Sequence, residues 1–170
     1  MKNIVYVVFA VLIFTSCQQS EKIGFVDNAK LINDYQEKID IEAKLKIKIA
    51  AFQKRTVSLG KVFRFDVNEA ELKAKRMSQT EIQKLSQELQ QRDQILSQRV
   101  QFEQQQIAQE SQTQNDSLIK KIKDFIKDYG IKNGYSYILG SNEGGSVMFG
   151  KKENDLTQTI LDLLNTAYKN

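Results

Sequence analysis

The segment Ser78-Gln79-Thr80-Glu81 stands near the middle of residues 28–129, a tract of 102 residues without proline and with a single glycine, Gly60. A serine followed three residues later by glutamate is a capping box, in which the two side chains satisfy backbone N–H groups at a helix start. It divides the tract into arms of 50 and 52 residues, each roughly 75 Å long at about 1.5 Å per residue. The sequence therefore predicts two long helices folded back on each other at a tip near residues 77–78.

Apolar residues with alternating spacings of four and three follow both arms, a pattern typical of antiparallel helices packed along a shared seam. The seam positions of the first arm are Leu45, Ile49, Phe52, Thr56, Leu59, Phe63, Asp66, Ala70 and Met77. Those of the second arm are Ile82, Leu85, Leu89, Leu96, Val100, Ile107, Leu118, Ile122, Phe125 and Tyr129.

Residues 39–49 and 62–67 alternate between apolar and polar side chains, which is also a strand pattern. We predict helix for both, because Ala, Lys, Leu and Glu dominate around them, with a local strand at 62–67 as the alternative. As helices they leave apolar side chains off the seam. These side chains either are ordinary exposed groups, are covered by neighbouring subunits, or bind nonpolar segments of an unfolded polypeptide. The candidates are Ile41, Ile47, Val62, Phe65, Val67, Ile95 and Phe102.

The N-terminus predicts export. A lysine at position 2 precedes an apolar run of 11 residues, 4–14, and small polar residues then lead to Cys17, the only cysteine. Residues 1–16 are therefore a secretory signal peptide, too short to span a bilayer. Residues 14–17 resemble a bacterial lipobox, which favours lipidation of Cys17 over an incidental free thiol, with residues 17–22 as a polar tether. The expected location is the periplasm, with a lipid anchor in a membrane.

Composition argues against an enzyme. The chain has no histidine, so the commonest metal ligand and neutral-pH base is missing, and a single cysteine excludes an internal disulfide. We predict no catalytic residue, metal or cofactor. The loop containing Gly144-Gly145 leads into a predicted strand and lacks a following Gly-Lys-Ser/Thr, so it is interpreted as a turn and not as a phosphate site.

Residues 23–28 and 130–170 form a predicted body of 47 residues beside the arm of residues 29–129. Residues 23–26 are a strand candidate, 135–139 and 146–149 are predicted to pair as a β-hairpin, and Asn154 or Asp155 to cap a last helix. That helix has Leu156, Ile160, Leu163, Leu164 and Ala167 on one face. A body this small needs partners to complete its core. The oligomerisation candidates are Ile23, Phe25, Tyr135, Tyr137, Leu139, Val147 and Phe149.

Charge divides along the arm. Residues 28–76 have a net charge of +5, whereas residues 77–117 have −3 and contain 14 glutamines. Export and this mixed charge argue against nucleic-acid binding.

The order of these elements resembles the Skp/OmpH family of periplasmic chaperones. The carrying residues are Ile23-Gly24-Phe25-Val26-Asp27 before the helical hairpin, Tyr135-Ser136-Tyr137-Ile138-Leu139 after it, then Val147-Met148-Phe149-Gly150 and Asn154-Asp155-Leu156-Thr157. The resemblance implies an α+β, mainly α fold: a small β body built from three chains, with three hairpin arms around a cavity.

The resemblance also implies an ATP-independent holdase that shields unfolded outer-membrane proteins. The lipobox and the unevenly charged arms depart from the family, which leaves open any binding of acidic clients or lipopolysaccharide. The alternative is a lipid-anchored coiled coil that organises the cell envelope without holding clients.

Overall fold

The computed structural model describes residues 21–142 and 144–169; the predicted signal peptide and Cys17 lie outside this range. The described elements are strand β1 (Ile23–Asp27), helices α1 (Asn28–Asp34), α2 (Gln36–Ala74) and α3 (Gln79–Lys132), strand β2 (Tyr137–Ser141), a short 3₁₀ helix (Lys152–Asn154) and helix α4 (Thr157–Lys169). The predicted mainly helical α+β fold with one long hairpin is confirmed.

Helices α2 and α3 form the arm, and its tip lies where the capping box predicts it. The Ser78 N–H donates to Glu81 Oε2 at 2.7 Å, and the Glu81 N–H donates to Ser78 Oγ at 3.4 Å. The seam is confirmed as well, since most of its predicted residues are buried or half-buried between the two helices, with Ile107, Leu118 and Ile122 the most enclosed. Residues 62–67 are helical.

The first arm is not one continuous helix from residue 28, contrary to the sequence prediction. Tyr35 has extended backbone angles, φ −70° and ψ 122°, and separates α1 from α2. No glycine or proline stands there. The break arises from tertiary packing, because the Tyr35 side chain is fully buried in the core of the body. Asp27 caps α1 by accepting from the Lys30 N–H, as one of the two predicted caps.

The sheet of the body contains two parallel strands, with Ile23 paired to Tyr137 and Asp27 to Ser141. The predicted β-hairpin is therefore wrong: β2 pairs with β1, and residues 146–149 form no strand. The N-terminal strand supplies the partner that β2 would have in a hairpin, since all five residues of β2 pair with β1. Gly145 adopts a φ of +84°, which suits the turn that precedes residues 146–149.

Helix α4 closes the core behind the sheet. Asp155 is the cap, since its Oδ1 accepts from the Thr157 N–H at 2.9 Å, and the Leu156 N–H donates to the Phe25 carbonyl on the free edge of β1. Leu163 was predicted to face the core but is exposed, whereas Leu161, which was not predicted, is buried. The face of α4 turned to α1 includes position 161. The core consists of Val26, Leu31, Tyr35, Leu118, Ile122, Leu156, Ile160, Leu161 and Leu164.

The second helix of the arm continues into the body past its predicted end at residue 129. Gly130 lies inside α3 and is buried, with Ile138 of β2 packed so close that a Cβ at this position would stand 3.3 Å from its Cδ1. The glycine thus lets β2 approach the helix. The turn follows at Asn133 and Gly134, whose φ is +69°.

Candidate functional site

One side of the arm is marked by ion pairs. In each pair that crosses from α2 to α3 the two residue numbers have the same sum, so the antiparallel register is constant along the arm. Successive pairs stand seven or eleven residues apart on each helix, spacings that keep them on one face. Within the described residues the crossing pairs are Glu37–Lys121, Lys48–Glu110, Arg55–Glu103 and Asp66–Arg92. We call the face that they follow the ion-pair side.

Five of the large apolar side chains that were predicted to lie off the seam are exposed on this ion-pair side. Ile47, Phe65 and Phe102 each directly precede a residue of an ion pair, and one residue turns a helix by about 100°. Seam residues come four positions after the ion-pair residues, which places them about 40° to the other side of the pairs. Ile47, Phe65 and Phe102 therefore point away from the seam. Val62 and Ile95 lie on the same flank, within about 60° of the pairs. These five residues, the arm patch, are between 58% and 71% exposed.

A shallow groove of about 450 Å³ lies between the members of the arm patch. It is lined by Ala51, Ser58 and Leu59 together with three long basic side chains: Lys54, Arg55 and Arg99. Long basic side chains cover apolar surface with their methylene groups while the charge stays in water. The arm patch is therefore a mixed surface, apolar in its contacts and basic at its rim.

Among residues 21–142 and 144–169, no group of three or more Cys, Asp or Glu side chains could hold a metal ion. None of the helices described is long and apolar enough to cross a bilayer.

Comparison with known proteins places this architecture. The family model of OmpH, outer membrane protein (OmpH-like), matches residues 22–164. The chain belongs to the OmpH-like family. A solved structure with the same fold is that of a candidate outer membrane chaperone (OmpH-like) from Caulobacter crescentus CB15, with a TM-score of 0.76 at 13% identity, covering 86% of this chain and 85% of the other. The search among curated proteins gave no match.

The body of this OmpH-like chain exposes the outer face of its sheet. Because Ile23 pairs with Tyr137 and Phe25 with Leu139, these four side chains share one face. The alternating residues, among them Val26, face the core. Ile23, Tyr137 and Leu139 are exposed while Phe25 is half-buried, and the loop after β2 adds Phe149, 85% exposed. Tyr135 and Val147, the other oligomerisation candidates, are half-buried.

Two of the seven predicted candidates, Ile41 and Val67, do not belong to the arm patch. Ile41 was expected to point away from the partner helix, but it is half-buried and packs against the core of the body, because α2 begins beside α4 and not beyond it. Val67 is half-buried on the flank opposite the ion-pair side.

Sequence reasoning missed several large exposed side chains of the OmpH-like chain, among them Ile131 of α3, which is 71% exposed. Val57 and Leu72 lie on α2 and are 58% and 64% exposed, and Met148 lies in the loop beside Phe149. The signal was present for Val57 and Leu72, since neither fits the spacing of the seam.

Proposed function

We propose that this protein is an ATP-independent holdase chaperone that binds unfolded outer-membrane proteins between its arms. Membership of the OmpH-like family supports a chaperone role. The observation that carries the proposal is the arm patch: five large apolar side chains exposed on one side of a hairpin whose own seam is already filled. Several large apolar side chains aligned on one side of a hairpin favour an interaction site over randomly scattered surface groups.

The patch suits weak and multiple contacts. Each of its side chains is separated from the others by polar neighbours, so a client segment that covers one of them gains only about 1 to 2 kcal/mol. A single contact of that size releases readily without nucleotide hydrolysis. Several arms around one client raise the effective concentration of such contacts, and the client is retained although each contact exchanges.

Several arms can surround one client only if several copies of the chain assemble. A trimer is the assembly that the resemblance implies, and the outer face of the sheet supplies an apolar surface for it through Ile23, Tyr137 and Leu139. Three bodies joined in this way would set three arms around a cavity. Light scattering on the protein should give three times the mass of one chain without the signal peptide.

The proposed location is the periplasm, with a lipid anchor on Cys17. The tether of residues 17–22 is short, so the body would remain within about 20 Å of the membrane. Replacing Cys17 by alanine should abolish fatty-acid labelling and membrane fractionation.

An aggregation assay with an unfolded outer-membrane β-barrel protein tests the function. The unchanged protein should keep the client soluble at about one oligomer per client. The variant Ile47→Gln, Phe65→Gln, Phe102→Gln should lose most of this activity, because three members of the arm patch become polar.

The matched control for the assay is a triple variant on the flank of the arm away from the ion-pair side: Gln53→Ser, Gln101→Ser, Gln104→Ser. These exposed glutamines make no hydrogen bond to another described residue, so the control should protect the client as the unchanged protein does. Absence of protection by an unchanged, assembled protein would instead favour a structural coiled coil of the envelope.

A further inference from the structure

The root of the arm is held by side chains from three separate helices. At Tyr35 the chain leaves α1 and enters α2 through one residue of extended backbone. An interrupted helix lacks the continuous backbone hydrogen bonds that would fix the direction of its second half. Because α3 runs unbroken from the arm into the body, the start of α2 is the part of this root whose position depends on side-chain contacts.

Helix α4 supplies the missing cap. The first N–H of α2, that of Gln36, donates to Asn165 Oδ1 at 2.9 Å, across 129 residues of sequence. Tyr35 itself offers no side-chain cap. An amide side chain of α4 thus performs at the root of the arm what a neighbouring Ser or Asn usually performs locally.

A second contact from α4 lies one turn further along α2. The Tyr168 hydroxyl donates to Asp40 Oδ2 at 3.0 Å, and the Gln36 amide donates to Asp40 Oδ1 at 2.8 Å. The Tyr168 ring meets the buried Tyr35 ring edge to face, with centroids 6.1 Å apart. Asn165 and Tyr168 are three residues apart, which places both on the face of α4 that meets the arm.

Helix α3 completes the joint through a charged pair. Lys121 Nζ lies 2.5 Å from Glu37 Oε2, and the Tyr35 hydroxyl donates to that same oxygen at 2.6 Å. The Lys121 ammonium also lies 5.7 Å from the centre of the Tyr168 ring. The two helices of the arm and the last helix of the body therefore share one polar cluster.

We propose that α4 is a latch that holds the first turns of α2 against the body, and that these turns move about Tyr35 when Asn165 and Tyr168 release them. The pivot is the single extended residue, and the latch is the pair of α4 side chains that reach across it. The inference stands on the joint alone and does not depend on what the arm binds.

Distance measurements between spin labels test the latch in the full chain, in a Cys17→Ser background. Labels at Lys151 in the body and at the exposed Ala43 near the start of α2, in chains diluted tenfold with unlabelled chain, report the position of the first turns of α2. Asn165→Ala with Tyr168→Phe should broaden the distance distribution. The same variant should accelerate hydrogen exchange of residues 36–44 about fivefold, the effect of losing one helix cap, while residues 79–90 at the tip exchange as before.

Two variants are matched to this one. Thr166→Ala removes a hydroxyl on α4 that bonds only within its own helix, at the Asp162 carbonyl, and should change neither measurement. Asn165→Asp keeps the oxygen acceptor and should preserve the cap. A narrow, unchanged distribution in the double variant would overturn the proposal. If the double variant loses its helical circular dichroism, Tyr168→Phe alone decides in the same way, because it removes a single hydroxyl.

Discussion

Single glycines show how differently one added methyl group acts in the arm and in the body. At Gly60, in the middle of α2, a Cβ would meet no atom within 4 Å, whereas at Gly24, in β1, it would stand 2.5 Å from Leu156 Cδ1 and 3.1 Å from the Tyr135 ring. Space is open in one case and occupied in the other.

Substitution by alanine at these two positions should therefore have opposite effects on stability. Gly60→Ala should raise the free energy of unfolding by about 1 kcal/mol, because it removes the entropy cost of glycine within a helix. Gly24→Ala should lower it by about 1 to 3 kcal/mol through overpacking. Chemical denaturation followed by circular dichroism measures both, and two effects of the same sign would contradict this account of the packing.

At the scale of an element, the arm should separate seam residues from patch residues by their stability effects. Ile107→Ala should cost about 2 kcal/mol or more, because the side chain is buried between the helices. Phe102→Ala, five residues earlier on the same helix, should change stability by less than about 0.5 kcal/mol because most of its ring is already in water. Equal losses would show that Phe102 packs within the fold.

The joint of α1, α2 and α4 should respond to acid. Burial of Glu37 works against ionisation, but hydrogen bonds from Lys121 and Tyr35 outweigh it and hold the pKa below its usual 4.5. The pKa of Asp40 is lowered from 3.8 by hydrogen bonds from Gln36 and then from Tyr168. For a carboxylate with a lowered pKa, the stabilisation is complete above the unfolded value and is lost as the pH falls through the folded value.

The latch should consequently hold at pH 7, begin to weaken as the pH falls below the usual values of 4.5 and 3.8, and be lost as it falls through the lowered pKa values of Glu37 and Asp40. The distance distribution between the body and the start of α2 should broaden in that range in the unchanged protein. Glu37→Gln with Asp40→Asn should show the broad distribution already at pH 7. A double variant that stays narrow at pH 7 would show that these carboxylates do not hold the start of α2.

Prediction from sequence succeeded where local chemistry decides the element and was wrong where distant contacts decide it. The capping box at Ser78 and the spacing of the seam are determined by residues that lie only a few positions apart in the sequence. The break at Tyr35 has no local signal, since its cap comes from Asn165 and its burial from the core. The pairing of β2 with β1 likewise depends on residues more than one hundred positions apart. Five of the seven residues predicted for the exposed surface of the arm are exposed on one side. Ile41 packs against the core instead, because the periodicity of α2 does not show that the body lies beside its start.

At the scale of the whole molecule, the small body and the long arm each present a separate exposed apolar surface. The body has a closed core on one face of its sheet and an apolar outer face, whereas the arm has a filled seam and an exposed patch. We propose that copies of the chain cover the outer face of the sheet and that clients cover the arm patch. Because both surfaces are apolar, the central question is which partner covers the arm patch.

Site-specific photocrosslinking answers that question most directly. A photoreactive phenylalanine analogue at Phe102 should crosslink to an unfolded outer-membrane β-barrel protein in the assembled complex. The same analogue at Gln101, one residue away and turned about 100° toward the other flank of the arm, should crosslink to it much less. Crosslinks from position 102 that join only copies of this chain, with or without client, would contradict the account.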